Sequence, residues 1–182
     1  MKVTVIRHAE VDFRWSRRCT SEGFDSDCSE YDSAPIRGTA YNIPQTRYER
    51  IYISELSRSK DTAGKLFSGG EFIRSGLINE VPLRSSFDTK MKLPLWFWNF
   101  TGRLQWFINS SRQAEGRRQT IERARQFVMM IGKENLDCAI VTHGFYMHTL
   151  LHELIKAGFR TNTSSAAYKN GEYVLAEREK NA

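Results

Sequence analysis

Val3-Thr4-Val5-Ile6-Arg7-His8-Ala9-Glu10 begins as a continuous apolar, β-branched run and breaks directly into an arginine and a histidine. A run of this kind reads as a strand buried on both faces, as in a parallel sheet. Cys138-Ala139-Ile140-Val141-Thr142-His143-Gly144 has the same form: an apolar run, then a histidine. Residues 51–53 (Ile-Tyr-Ile) give a third strand and residues 77–78 a weaker fourth. Helical patterns lie between them. One covers 57–67, with Ala63, Leu66 and Phe67 on one side. In 119–131, Ile121, Ala124, Val128 and Ile131 fall on one stripe, and 145–157 stops at Gly158. Alternating strands and helices predict a layered α/β domain with a mostly parallel central sheet. Near the end, Asn170-Gly171 between 166–168 and 173–175 signals a hairpin.

The chain has 182 residues, enough for one domain over 1–182 and too few for two comfortable ones. Lys and Arg number 27 against 21 Asp and Glu, a formal charge of +6 that favours anionic partners. The odd count of three cysteines, Cys19, Cys28 and Cys138, suits a reducing compartment better than a disulfide scaffold. The first ten residues hold only a four-residue apolar run, and the apolar stretch 93–108 is interrupted by Asn99, Arg103 and Gln105. A cytoplasmic location and no stable membrane insertion are therefore expected. Residues 11–49 read as a long ordered loop with short helical pieces. Residues 86–112 hold Trp96, Trp98 and Trp106 with Phe97, Phe100 and Phe107. Long segments of this kind are more often functional than idle.

The chemistry gathers at strand ends, where open α/β sheets bind their ligands. His8, with Arg7 beside it, and His143 both occupy such ends. A third end continues through Ser54-Glu55-Leu56-Ser57-Arg58, placing Arg58 at a helix start. Backbone N–H groups at a helix start, with a guanidinium beside them, suit a phosphate. Two arginines and two histidines converging in this way point to an oxyanion.

These segments resemble the histidine phosphatase superfamily, the group that includes the cofactor-dependent phosphoglycerate mutases. Residues 6–10 (IRHAE) are similar to its Arg-His-Gly-Glu opening, 54–63 (SELSRSKDTA) to its Ser-Pro-Leu-x-Arg-Ala-x-x-Thr-Ala, 77–81 (LINEV) to the stretch with its acidic residue, and 141–144 (VTHG) to its second-histidine motif. They occur in the family's order. The resemblance implies a three-layer α/β/α sandwich of the phosphoglycerate mutase type. It also implies a phosphomonoesterase in which His8 forms a phosphohistidine and Glu80 is general acid and base. Arg7, Arg58 and His143 would neutralise the phosphoryl oxygens, with no metal and no cofactor. Ala9 replaces a glycine of the family pattern, and Glu55 a proline. Val11 stands where many members have Ser or Thr, and Arg14, a candidate further phosphate contact, where the mutases have Asn. Phe145 replaces a second glycine after His143 and would narrow the pocket wall.

A phosphorylated small molecule is the expected substrate. Hydrolysis is preferred to mutase-type phosphotransfer because a mutase needs more covering structure to keep water from its intermediate. A non-catalytic sensor of a phosphorylated ligand is the competing class. The aromatic segment 96–107 allows three uses: a substrate-covering cap, a satellite core, or an interface for a membrane surface or a second subunit in a homodimer. His148 and His152 share a helix face, but Thr149 stands where the metalloprotease motif has Glu, so no metal is expected. The arginines at 112, 117, 118, 123 and 125 are diluted by Glu115 and Glu122 and lack a nucleic-acid motif, so a nucleic-acid partner is not expected.

Overall fold

The computed structural model describes residues 1–38, 41, 43–44, 47–68, 71–163 and 168–179. The run 3–6 lies in strand β1 (Lys2–Arg7), followed by β2 (Arg18–Cys19), helix α1 (Ser21–Ser33), β3 (Arg50–Ile53), α2 (Ser57–Leu66) and β4 (Phe72–Arg74). After a 3-10 turn (Gly76–Ile78) come β5 (Leu93–Pro94), α3 (Leu95–Phe107), α4 (Arg117–Glu134), β6 (Cys138–Thr142), α5 (Gly144–Lys156), β7 (Arg160–Thr161) and β8 (Tyr173–Glu177). The central sheet has the order β4-β3-β6-β1-β8-β7. β4, β3, β6 and β1 are mutually parallel, and β8 and β7 close the sheet antiparallel.

Period-two alternation divides each buried strand between two cores. Val3 and Val5 of β1, Tyr52 of β3 and Ile140 of β6 point to one face, against Ala124, Phe127, Val128 and Ile131 of α4 and Met147, Leu150 and Leu154 of α5. Ile6, Ile51, Ile53, Ala139 and Val141 point to the other, against Ala63, Leu66 and Phe67 at α2. The result is the expected three-layer sandwich with a mostly parallel sheet. Placing β6 between β1 and β3 brings the carboxyl ends of all three to one edge.

Three local expectations change. Residues 77–78 are not a strand but part of the 3-10 turn, where the Ile78 carbonyl accepts a 2.7 Å hydrogen bond from Thr142 Oγ1. The sheet position goes to β4, whose Phe72 and Ile73 supply the aromatic and β-branched side chains that pair with Ile51 and Tyr52. Within 11–49, the structure has the 13-residue helix α1, not short pieces: Thr20 caps it through Gly23 N–H, and buried Phe24 anchors it. Asn170-Gly171 is a turn with Gly171 at φ 77°, but β8 pairs with β1 and β7. Tyr168 is in no strand, and Ala166 and Ala167 of the expected hairpin lie outside the described residues.

Candidate active site

Register decides which side chains meet. Arg7 of β1 pairs with Thr142 of β6, and Ile53 of β3 pairs with Val141, so His8, His143 and Ser54 emerge side by side. The His8 and His143 ring centroids are 5.0 Å apart. The His8 backbone is held from two sides. Its N–H donates to the Thr142 carbonyl at 2.9 Å, and Asn170 Nδ2 donates to its carbonyl at 3.0 Å. The Ala9 N–H donates to Thr62 Oγ1 of α2.

His8 is 2% exposed, and its Nδ1 lies 2.7 Å from the Ala9 carbonyl. A carbonyl only accepts, so Nδ1 carries the hydrogen and Nε2 keeps its lone pair. Burial is the main cause that takes the His8 pKa down to about 3, and the Arg58 and Arg7 guanidinia push in the same direction. His8 is therefore neutral near pH 7, as a nitrogen nucleophile must be.

His143 is fully buried and held well below the usual imidazole range, first by desolvation and then by His8 and Arg58. Arg58 Nε donates to its Nδ1 at 3.2 Å, which leaves Nε2–H to donate to Ser54 Oγ at 2.7 Å. Both nitrogens are thus engaged within the protein, and His143 orients Arg58. On its other side Arg58, itself 1% exposed, donates from Nη1 to Asp32 at 2.8 Å and lies over the Tyr31 ring at 5.0 Å. Sequence reading missed Asp32 and Tyr31, because they belong to α1, an element it did not see. Arg7 packs against Gly144, where a Cβ would come within 2.7 Å of its Nε, so any larger residue there would displace the guanidinium. One Arg7 nitrogen donates to the Tyr168 carbonyl, while buried Nε has no hydrogen-bond partner among the described residues. A buried donor left in this state is rare and suits an oxyanion.

Glu80 reaches the site by a different route. Its Oε1 accepts from Val81 N–H at 2.9 Å and from Tyr146 N–H at 3.1 Å, in the first turn of α5, where a negative charge is favoured. Asn79 and Glu55 exchange hydrogen bonds of 2.8 and 2.9 Å, tying this segment to the loop that precedes Arg58. Glu80 and Arg58 line a cleft of about 890 Å³ together with Trp15, Tyr31, Asn99 and Arg103. Arg103 of α3 stacks on Phe145 with its guanidinium carbon 3.7 Å from the ring centroid, and Glu80 offsets part of the cost of burying its charge. Phe145 therefore acts on the cleft by carrying Arg103. Neither this cleft nor a larger hollow of about 1200 Å³ beside Met1, Lys133, Arg160 and Arg178 is lined by His8 or His143; the cleft reaches the group through Arg58.

The structure thus brings together Arg7, His8, Arg58 and His143, with Glu80 and Arg58 on one cleft. It does not bring Arg14 to them: that side chain is exposed, and no hydrogen bond or ion pair among the described residues joins it to the group. His148 and His152 are also exposed, and the described residues contain no group of three or more His, Cys, Asp or Glu able to hold a metal ion.

Residues 3–181 match the family described as the histidine phosphatase superfamily, branch 1. Among solved structures, the open reading frame Rv3214 from Mycobacterium tuberculosis is similar, at 14% identity over 98% of this chain and 91% of that one, with a TM-score of 0.61. The mycobacterial glucosyl-3-phosphoglycerate phosphatase Rv2419c shares 17% identity over 96% and 88%, with a TM-score of 0.59. The alpha-ribazole phosphatase from Shigella flexneri shares 17% over 96% and 89%, with a TM-score of 0.58. At these identities the likeness is one of fold. No curated protein matches the chain.

Proposed function

We infer that this chain, which belongs to branch 1 of the histidine phosphatase superfamily, hydrolyses small phosphomonoesters through a phosphohistidine on His8. The observation that carries this reading is the tautomer of His8: Nδ1–H is committed to the Ala9 carbonyl, which leaves Nε2 unprotonated beside Arg58 and Arg7. In the first displacement the Nε2 lone pair forms a bond to phosphorus as the ester P–O bond breaks. Glu80, protonated for this step, passes its proton to the leaving oxygen. Its Oε1 is occupied by two backbone N–H groups, so Oε2 is the oxygen that carries the proton. In the second displacement water attacks phosphorus, Glu80 takes the proton back, and the N–P bond breaks to release phosphate and neutral His8. Arg58 and Arg7 stabilise the charge on the phosphoryl oxygens in both steps. His143 serves through Arg58, and exposed Arg14 is left outside this scheme. Because His8 is almost fully buried, the cleft wall must open by side-chain motion for a phosphoryl group to reach it.

Rapid mixing with p-nitrophenyl phosphate followed by an alkaline quench, which preserves phosphohistidine, tests this directly. We expect a phosphoryl group on the peptide containing His8 and release of inorganic phosphate. Turnover without that adduct would exclude the double displacement. Isomerisation of a phosphorylated substrate without phosphate release would assign the chain to mutase chemistry. Saturable phosphate binding with no turnover on any substrate would assign it to sensing.

Replacing Arg58 by lysine keeps the charge but loses the planar fork that spans His143 Nδ1 and Asp32. The expected result is a fall of about 10²-fold in kcat/KM, because a misoriented cation no longer matches the transition-state charge. A lysine variant as active as wild type would remove the orienting role assigned to His143 and Asp32.

A further inference from the structure

The outer face of α3 has no part in the cleft or the core. The inner face packs tightly: Trp98 stacks on Phe24 with ring centroids 5.8 Å apart, and a Cβ at Gly102 would come within 2.7 Å of Leu83. The opposite face is apolar and open. Trp96, Phe100, Leu104 and Phe107 follow one another at helical spacing and are 68%, 64%, 50% and 54% exposed. Phe87 and Met91 before the helix and Ile108 just after it are exposed as well, Phe87 packing against Phe97 and Trp98. Contiguous exposed apolar surface of this kind marks an interaction site.

The charges around the patch favour one kind of partner. Exposed Lys90 and Lys92 precede the helix within six residues of Trp96, and exposed Arg117 and Arg118 follow it. The Arg117 guanidinium lies 4.9 Å from the centroid of the Phe107 ring, and the Arg118 N–H donates to Asn109, one residue beyond Ile108. Asp88 is the single carboxylate between residues 81 and 114, and Arg112 pairs with it at 2.5 Å. The patch is therefore an apolar stripe with a Trp and two Phe, framed by four cations. A second copy docked face to face would bring identical basic rims together. A negatively charged bilayer surface matches both parts.

We propose that this face docks on an anionic lipid surface. Helix α3 lies in the headgroup layer, with Trp96, Phe100 and Phe107 inserted at the acyl boundary and the four cations over the headgroups. The contact is peripheral, since no described helix is long and apolar enough to cross a membrane. Asn99 and Arg103 stand on the flank of the same helix and line the cleft, so docking sets the cleft mouth beside the surface. This inference stands on the patch alone and does not depend on the phosphatase reading.

The test is sedimentation of the full chain with vesicles of phosphatidylcholine alone, or of phosphatidylcholine with one third phosphatidylglycerol, with tryptophan emission followed in parallel. Binding to the anionic vesicles should be stronger by at least about tenfold and should weaken as salt is raised. Of the four tryptophans only Trp96 is exposed, so emission should shift to the blue on binding in wild type and not in Trp96→Phe. Trp96→Ser combined with Phe100→Ser should abolish sedimentation with thermal unfolding preserved, because neither side chain is in the core. Lys90→Glu with Lys92→Glu should remove the preference for anionic vesicles. Equal binding to both vesicle types, or none to either, overturns the proposal. A concentration-dependent dimer that Phe100→Ser dissociates would assign the face to a second copy instead.

Discussion

His8→Ala is expected to lower kcat/KM for p-nitrophenyl phosphate by about 10⁴-fold or more, the scale of losing an attacking nucleophile. The Ala9 carbonyl and the β1 backbone hold the imidazole so that Nε2 is the one free basic nitrogen at this position. His143 cannot substitute, since its Nδ1 receives Arg58 and its Nε2–H is given to Ser54. The proposed phosphate cradle does not depend on His8: Arg58 stays anchored by Asp32 and Arg7 by its contact at Gly144. His8→Ala should therefore still bind inorganic phosphate with an affinity within a few-fold of wild type, read by calorimetry. Turnover within tenfold of wild type would dismiss His8 as the nucleophile. Loss of phosphate binding together with turnover would show that His8 builds the cradle instead of acting in it.

Legibility tracked how local each signal was. Buried parallel strands announce themselves as unbroken β-branched runs, so β1, β3 and β6 could be read within a residue, and with them the strand-end residues Arg7, His8 and His143. Helices with one apolar stripe, such as α4, were equally plain. Edge strand β4 was missed because three residues carry too little periodicity, and the apolar pair Leu77-Ile78 drew the reading instead. Its real role is to offer a carbonyl to Thr142. Helix α1 was hidden by its polarity: of 13 residues only Ser21 and Phe24 are buried, so there is no stripe to find. Missing α1 meant missing Asp32 and Tyr31, which complete the orientation of Arg58. The segment 96–107 could not be assigned because both faces of α3 are apolar, and only packing shows that Trp98 is core and Trp96 is not. Arg14 is a cation close in sequence to His8 whose side chain is exposed and has no hydrogen bond or ion pair to the group among the described residues.

The distribution of positive charge follows from the same layout. Arg7 and Arg58 are held in the interior by carbonyl, carboxylate and aromatic contacts, whereas Lys90, Lys92, Arg117 and Arg118 stay exposed around α3. Burial is the main cause that lowers the His8 and His143 pKa values, and of these two groups only the first adds to it, because only there does low polarisability leave guanidinium fields unscreened. Cations at the α3 rim act through a high-dielectric boundary and depend on salt. One net charge thus serves two purposes that ionic strength can separate.

The largest stability effect should appear in acid, through His8. In the folded chain its pKa is about 3, and in the unfolded chain it returns to the ordinary 6.5. Above pH 6.5 both states hold the imidazole neutral and His8 makes stability independent of pH. Between pH 6.5 and pH 3 the unfolded chain binds a proton that the native site refuses, so stability falls as pH falls. One such proton corresponds to a slope of about 1.4 kcal/mol per pH unit, on the order of 3 kcal/mol by pH 4. That is a large share of the roughly 5–15 kcal/mol that holds a domain together. Fully buried His143 acts in the same direction. Urea unfolding at a series of pH values, wild type against His8→Asn, isolates the His8 share, since an asparagine amide can still donate to the Ala9 carbonyl but does not titrate. The wild-type curve should descend more steeply by about one proton, and parallel curves would refute the depressed pKa. Saturating inorganic phosphate should flatten the difference. An oxyanion held by Arg58 and Arg7 supplies the negative charge that makes a protonated imidazole tolerable, raising the native pKa toward its unfolded value. A slope that ignores phosphate would place the anion somewhere other than beside His8.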